Sequence, residues 1–213
     1  LDNRTTLLGG ITHYLRTPLT RMRLAIDLIE DYCDSSLTNQ MKMDIAQMND
    51  MITDSMALCR SLEQLEREDT DLVDEVETVV GLFASDGQRI NWPGGDRCKC
   101  TLNATAFRRM LQNIVENALR YGDDQPVDIA LICDPGQTYL EIADRGPGIP
   151  EVSREDIFRP FYRLDKSRNA RTGGSGLGLA IANQLAVANG CRIEVDNRAG
   201  GGTVFRVFVP TKE

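Results

Sequence analysis

Histidine occurs once in these 213 residues and tryptophan once, so any imidazole chemistry rests on His13. No run of about 18 apolar residues is present, which leaves no candidate for a bilayer-spanning helix, and the start has no signal-peptide pattern. The chain opens at Leu1 inside a helical pattern, as expected of a fragment excised from the cytoplasmic side of a larger protein. Basic excess is lacking too: a net charge of −8 argues against an obligate nucleic-acid binder, though not against local basic sites for phosphates. The six cysteines, Cys33, Cys59, Cys98, Cys100, Cys133 and Cys191, show no disulfide-framework spacing, so reduced thiols are expected. Cys98-Lys-Cys100 has no second ligand pair and is better read as alternate residues of a short strand than as a metal site. Repeats and low-complexity tracts are absent. What remains, with 41% hydrophobic residues, is the composition of an ordinary globular chain long enough for two modest domains.

Apolar residues at Leu8, Ile11, Leu15, Pro18, Met22, Ala25, Ile29 and Tyr32 recur at three-and-four spacing and predict a helix from about Asp2 to Tyr32 with one buried stripe. His13 lies about 200° around that helix from Ile11 and from Leu15, so its imidazole faces solvent. Pro18 frees the carbonyl of Tyr14 and loosens the turn that carries His13. Asp34-Ser35-Ser36 and Thr38-Asn39 read as a polar turn. A second helix follows, with a stripe of Met41, Ile45, Met48, Ile52, Cys59 and Leu62. A hairpin of two such helices cannot bury both stripes alone, and a second copy would close a four-helix bundle, so a homodimer is expected.

The charge run Glu66-Arg67-Glu68-Asp69 marks a boundary between residues 1–68 and 69–213. Beyond it the pattern predicts a helix over Leu72–Phe83, strands at Gln88–Trp92 and Lys99–Leu102, and a helix over Ala104–Tyr121. Strands follow at Val127–Cys133 and Tyr139–Asp144, then a loop-rich segment over Arg145–Ser175. A helix over Leu177–Asn189 and a hairpin of Arg192–Asn197 with Thr203–Val209 close the chain. The fold class is therefore α+β: a helical hairpin, then an α/β sandwich with helices on one face of a sheet.

His13 with Leu15-Arg16-Thr17-Pro18-Leu19, continued by Thr20-Arg21 and Arg23-Leu24-Ala25, resembles the phospho-acceptor box of bacterial two-component sensor histidine kinases, of the EnvZ-like type in particular. The position after the histidine is acidic in that family and is Tyr14 here. Four further motifs arrive in the order of the GHKL (Bergerat) ATP-binding domain, the superfamily of gyrase, Hsp chaperones, histidine kinases and a mismatch-repair ATPase. Asn113-Ile-Val-Glu-Asn117 places two asparagines on one helix face, offering neutral oxygens for Mg²⁺ and amide donors for phosphate. Asp144-Arg-Gly146-Pro-Gly148 stands at a strand end, where glycines permit close backbone approach. Phe158-Arg-Pro-Phe161 matches the family's aromatic box. Gly173-Gly174-Ser-Gly176-Leu177-Gly178 opens the last long helix, where backbone N–H groups can meet a polyphosphate. No strand runs into that glycine run and no Gly-Lys-Ser/Thr follows it, which argues against a dinucleotide fold and a P-loop.

The resemblance implies that Asp144 accepts a hydrogen bond from the adenine amino group, that Thr203 backs the adenine and that Asn117 ligates Mg²⁺. Tyr121 is placed to stack on the base. Phe158 and Phe161 are expected to anchor a lid between Arg163 and Thr172 while also serving the core. Relatives that hydrolyse ATP carry a glutamate as base for water where this chain has Asn113, which leaves His13 as the nucleophile for the γ-phosphoryl. The expected function is the cytoplasmic catalytic core of an inner-membrane sensor kinase. It would phosphorylate itself on His13 from ATP and pass the phosphoryl to an aspartate of a response regulator receiver domain, OmpR-like in class. Arg21, Leu24, Asp27 and Leu28 are candidate selectors of that partner. Thr17, one turn beyond His13, is implied by the family to orient the water that removes phosphate from the regulator. Two alternatives stand beside this: a phosphatase-biased or kinase-impaired protein because of Tyr14, and a non-catalytic ATP-gated dimer that binds its regulator.

Overall fold

A computed structural model gives the fold and describes residues 19–29, 35–63, 66–84, 89–134, 136–164 and 176–210. His13, Tyr14, Thr17, Cys33 and Gly174 lie outside these residues, as does the apolar stripe ahead of Leu19. Two compact units divide the chain between Glu63 and Gln64.

In the first unit residues 19–29 form helix α1 and Ser35–Glu63 form α2. Helix α2 begins inside the expected polar turn, at Ser35. Thr38, almost fully buried, donates its hydroxyl to the Ser35 carbonyl at 3.2 Å, so these polar residues form the helix's first turn. Leu19, Ile26 and Ile45 make a buried cluster with Ile52 against it, and Lys42 reaches Asp27 at 2.9 Å. The expected stripe is corrected here: Met22, Ala25 and Ile29 are exposed, and the contact within the chain is made by Leu19 and Ile26 instead. Both sets repeat at seven residues, so they are two halves of one seam, and a single hairpin covers only the first. On α2 the same division holds, with Ile45 buried while Met41 and Met48 are about half exposed.

The second unit starts with β1 (Glu68–Asp71), which pairs antiparallel with β3 (Lys99–Leu102), so the charge run expected to mark a boundary already contains a strand. Period-2 reading missed it because only Thr70 of its four residues is buried. Helix α3 (Leu72–Ala84) follows, its start held by Asp71 Oδ1, which accepts the N–H groups of Val73 (3.2 Å) and Cys98 (3.1 Å). A five-stranded sheet runs in the order β2 (Ile90–Asn91), β4 (Val127–Asp134), β5 (Gln137–Ala143), β7 (Thr203–Val209), β6 (Arg192–Asn197); β2 is parallel to β4 and the other pairs are antiparallel. Registers align apolar rows across it. Ile129, Ile142, Phe205 and Val195 form one row, and Leu131, Leu140, Val207 and Ile193 the next, all on the side covered by helices. The opposite side carries Glu141 against Arg206, and Tyr139 and Arg192 against Phe208.

Helices α4 (Ala104–Tyr121) and α5 (Gly178–Asn189) pack on each other as well as on the sheet. Asn103 caps α4, its Oδ1 accepting the Ala106 N–H at 2.8 Å. Phe107, Met110, Leu111, Ile114, Val115 and Ala118, spaced three and four apart, are fully buried, which sets the helix's other face toward the site. Gly190 ends α5 in a left-handed conformation, φ 74°. The loop-rich segment contains two 3-10 turns, Glu151–Ser153 and Asp156–Phe158.

The cysteines correct the expectation of reduced thiols. Cys98, buried just before β3, and Cys133, exposed near the end of β4, form a disulfide with their Cα atoms 6.1 Å apart. They are 35 residues apart in sequence, and only the sheet arrangement makes them neighbours. The bond joins the two-stranded sheet to the five-stranded one, and the loop it closes holds all of α4. With Cys98 so engaged, Cys98-Lys-Cys100 is not a ligand pair. Cys100 and Cys191 are buried free thiols, and burial pushes Cys191 up to about 12. Closing a loop of this length restricts the unfolded chain by about 2–4 kcal/mol. Cys133→Ser should therefore lower Tm by several degrees in a thermal melt, and a dithiol reductant should bring the wild type down to the variant's Tm while leaving the variant unchanged.

Candidate functional site

Strand β5 ends at Ala143, and the next residue, Asp144, is 1% exposed. A carboxylate so buried must find hydrogen bonds, and Oδ1 takes two, from the N–H groups of Gly146 (2.8 Å) and Thr203 (2.9 Å). The Asp144 N–H donates in turn to the Thr203 carbonyl at 2.9 Å, so the end of β5 and the start of β7 are tied in both directions. These bonds leave Oδ2 as the oxygen for which no partner is described. The backbone closes tightly here. A Cβ on Gly202, at φ 110°, would lie 2.1 Å from the Asp144 carbonyl oxygen, and one on Gly146 would lie 2.2 Å from that of Tyr121. Gly148 (φ 79°) faces Asn197, whose Oδ1 accepts the Ile149 N–H at 3.2 Å. The structure thus brings Asp144, Gly146, Gly148, Thr203 and the C-terminal end of α4 at Tyr121 into one place.

Asn113 and Asn117, half-buried on α4, present the helix's open face one turn apart. Asn113 donates to the Arg109 carbonyl at 2.9 Å, and its Oδ1 would sit 3.2 Å from a Cβ on Gly178, the first residue of α5. The asparagine face and the N–H groups that open α5 are therefore adjacent. Gly176 and Leu177 lead into that helix. Gly176, at φ 70°, accepts the Phe161 N–H through its carbonyl at 2.9 Å, and a Cβ there would press within 3.0 Å of the Phe161 backbone.

The aromatic box departs from expectation. Phe161 is 62% exposed and, unusually for a bulky residue, has φ 66°. Phe158 is half-buried and lines an open groove of about 520 Å³ with Arg154, Asn183 and Ile193, on the β6 side of α5. Neither phenylalanine is in the core; Ile157 takes that place. The 3-10 turn over Asp156–Phe158 rotates Ile157 inward, which an isolated F-x-x-F spacing cannot disclose.

Sequence reasoning also missed a polar node at the rim. Asp128 accepts from Asn91 (2.7 Å), Arg145 (2.7 Å) and Arg198 (3.1 Å), and Arg145 donates to the Pro126 carbonyl as well. Arg145 follows Asp144 and Arg198 follows Asn197, so this node holds both loops of the site. Burial opposes ionisation of Asp128, but the Asn91 and Arg145 hydrogen bonds and the charges of Arg145 and Arg198 outweigh it and hold the carboxyl below its ordinary value of 3.8. Of these residues Arg145 alone lay in a sequence motif, between Asp144 and Gly146.

Residues 102–213 match the family described as histidine kinase-, DNA gyrase B- and HSP90-like ATPases. Over 99% of its length the chain is 33% identical to sensor protein RstB of Escherichia coli strain K12, covering 49% of that protein; it spans about half the length of the curated relatives it matches. Among solved structures, full-length ShkA in complex with AMPPNP aligns with 98% of this chain and 47% of its own, with TM-score 0.69 and 23% identity, a likeness of fold. The histidine kinase domain of the Escherichia coli osmosensor EnvZ aligns with 68% of this chain and 89% of its own, with TM-score 0.53 and 26% identity.

Because the folded-state pKa of Asp128 is depressed, its contribution to stability is full above the ordinary carboxylate range and is lost as pH falls through the lower folded value. Tm should drop as pH falls below about 4 for this reason. Asp128→Asn should lower Tm at pH 7 and flatten that acid limb; an unaltered limb in a pH series of melts would remove Asp128 from the account.

Proposed function

We propose, from the premise that this chain belongs to the sensor histidine kinases within the histidine kinase-, gyrase B- and HSP90-like ATPases, that it transfers the γ-phosphoryl of ATP to His13 and onward to a response regulator. The observation that carries the reading is Asp144: a buried carboxylate with Oδ1 held by two backbone N–H groups and Oδ2 left to accept from an adenine amino group. Such an acceptor favours adenine because guanine presents a carbonyl at the corresponding position. Thr203 stands beside it, Gly146 and Gly148 let backbone approach the ring, and Tyr121 offers its ring at the end of α4. The opening N–H groups of α5 and the amides of Asn113 and Asn117 suit a polyphosphate. Asn117 would supply one neutral oxygen to Mg²⁺, an ion that keeps most of its ligands as water and phosphate and, when bound, neutralises charge on the transferred group.

The chemistry asked of the protein is positioning. His13 carries a lone pair when neutral and attacks phosphorus as the bond to the ADP oxygen breaks; the imidazole proton must then leave. Asn113, in place of a carboxylate, offers no base for water, so the phosphoryl waits for the imidazole. Tyr14 bears on the proton. A phenol with an unperturbed pKa of about 10 is a poor acceptor at pH 7, which favours a second reading in which autophosphorylation is slow and removal of phosphate from the regulator, aided by Thr17, dominates.

The helical unit supports the pairing such a kinase needs. The uncovered half of its seam, Met22, Ala25 and Ile29 on α1 with Met41 and Met48 on α2, is what a second copy would cover in a four-helix bundle. Arg21, Leu24, Asp27 and Leu28 are exposed on α1, available to a receiver domain of the OmpR-like class. Among the described residues no helix is long and apolar enough to cross a membrane, and attachment to an inner membrane would rest on segments outside this chain.

Incubation with γ-labelled Mg-ATP tests the reading directly. Acid-labile label is expected on the wild type and none on His13→Gln; label that persists in the variant removes His13 as acceptor. Tyr14→Glu should raise the labelling rate about tenfold, a modest share of general-base assistance, while rapid wild-type labelling with no gain would sink the role given to Tyr14. Asp144→Asn keeps Oδ1 for Gly146 and Thr203 but turns an NH₂ toward the adenine amino group. ADP affinity by calorimetry should fall about tenfold or more, the effect of one mismatched buried polar contact.

A further inference from the structure

At the ends of α4 and α5 away from Asn113 and Gly178, three pieces of chain meet through polar bonds that nucleotide binding does not use. Asn189, the last residue of α5, is 1% exposed and both ends of its amide are engaged. Its Oδ1 accepts the Asn103 N–H at 2.8 Å and its Nδ2 donates to the Asn103 carbonyl at 3.3 Å. Asn103 also caps α4 through Oδ1, and its Nδ2 donates to the Glu66 carbonyl at 3.0 Å. The next residue, Arg67, donates to the Ala188 carbonyl at 3.2 Å, placing a cation at the C-terminal end of α5. The segment just ahead of β1 is thus fastened to both helices.

From this joint the two helices run back side by side for nearly equal spans. Ten residues separate Asn103 from Asn113 and eleven separate Asn189 from Gly178, roughly 15 and 17 Å at helical rise. The interface between α4 and α5 is mostly apolar and non-directional, so it resists separation more than sliding. The paired amides are directional, and a slide of about 1 Å would take their bonds beyond hydrogen-bonding range. Fixing one end of the pair therefore fixes the other, where Asn113 Oδ1 stands 3.2 Å from the Cβ position of Gly178.

The geometry points to the Asn103–Asn189 pair, together with Arg67, as a positioning clamp that sets the N-terminus of α5 against Asn113 and Asn117 for the polyphosphate of ATP. This rests on the nucleotide reading above. None of the three touches the nucleotide; they act through the register of α5. The clamp should matter for the phosphates, which α5 receives, and not for the adenine, which Asp144 receives at the end of β5.

The test compares a non-hydrolysable Mg-ATP analogue, by calorimetry, with adenosine, by NMR titration, on the full chain. Asn189→Ala should weaken the analogue about fivefold or more while adenosine affinity stays within about twofold, the scale of one or two lost hydrogen bonds. Arg67→Gln, at an exposed site, and Asn103→Asp, which keeps the cap on Ala106 but loses the donor to Glu66, should each shift the same ratio by about two- to threefold with little change in Tm. Those two variants keep the proposal testable should Asn189→Ala fail to fold. An equal loss for analogue and adenosine, or a fall in Tm with the ratio unmoved, would reduce the clamp to a structural contact and overturn the proposal. A wild type that binds neither compound, or an Asp144→Asn variant with unchanged adenosine affinity, overturns the nucleotide reading first and this inference with it.

Discussion

The bond pair at Asp144 Oδ1 is the constraint around which the second unit closes. A carboxylate at 1% exposure is tolerated only where donors replace the water it loses, and here the donors are backbone N–H groups from two loops far apart in sequence. Meeting that requirement draws Gly146 against the Tyr121 carbonyl and Gly202 against the Asp144 carbonyl, so close that no side chain fits at either glycine. The glycines follow from the carboxylate's position.

Around this point the sheet supplies rigidity in two ways. Its helix-covered face is held by apolar rows in register, and its open face by charge: Arg206 bridges Glu141 and Asp196 at 2.9 Å each, and Asp196 also holds Arg154 at 2.9 Å. Isolated surface pairs contribute little. A connected set has a different consequence, since Arg154 belongs to the segment over residues 150–164 and its bond to Asp196 fixes where that segment leaves the sheet. From there Phe161 reaches the Gly176 carbonyl ahead of α5. The segment over residues 150–164 is thus anchored through Arg154 and Phe161, while the Phe161 side chain itself is exposed.

The helical unit shows the opposite economy. Its hairpin buries Leu19, Ile26 and Ile45 and leaves the matching half of the seam in water. The exposed methionines and isoleucine are not scattered surface residues; they repeat at seven and continue the buried set. Helices α1 and α2 thus leave an apolar seam in water, which is the surface that the second copy proposed above would cover.

Much of the second unit was legible from local pattern. The α4 span and the β3, β6 and β7 spans are those that periodicity and capping residues indicate, and Asn113, Asn117, Asp144 and Gly146 stand out as chemistry-bearing types at meaningful spacing. These are properties of short stretches: a helix face every three or four residues, a strand face every two, a cap at Asn103. Strand β1 was not legible, because a four-residue edge strand with one buried side chain has no period to read. Nor was the Cys98–Cys133 bond, the Asp128 node or the Asn103–Asn189 pair, each of which joins residues 35 or more positions apart for at least one of its contacts. By itself the sequence determined which segments are helix or strand and which residue types could bind a nucleotide, since both depend on neighbours along the chain. Only the tertiary structure decided which residues meet, which half of the helical seam is covered and which phenylalanine is exposed, because those depend on sheet order and helix register, and neither is a local property.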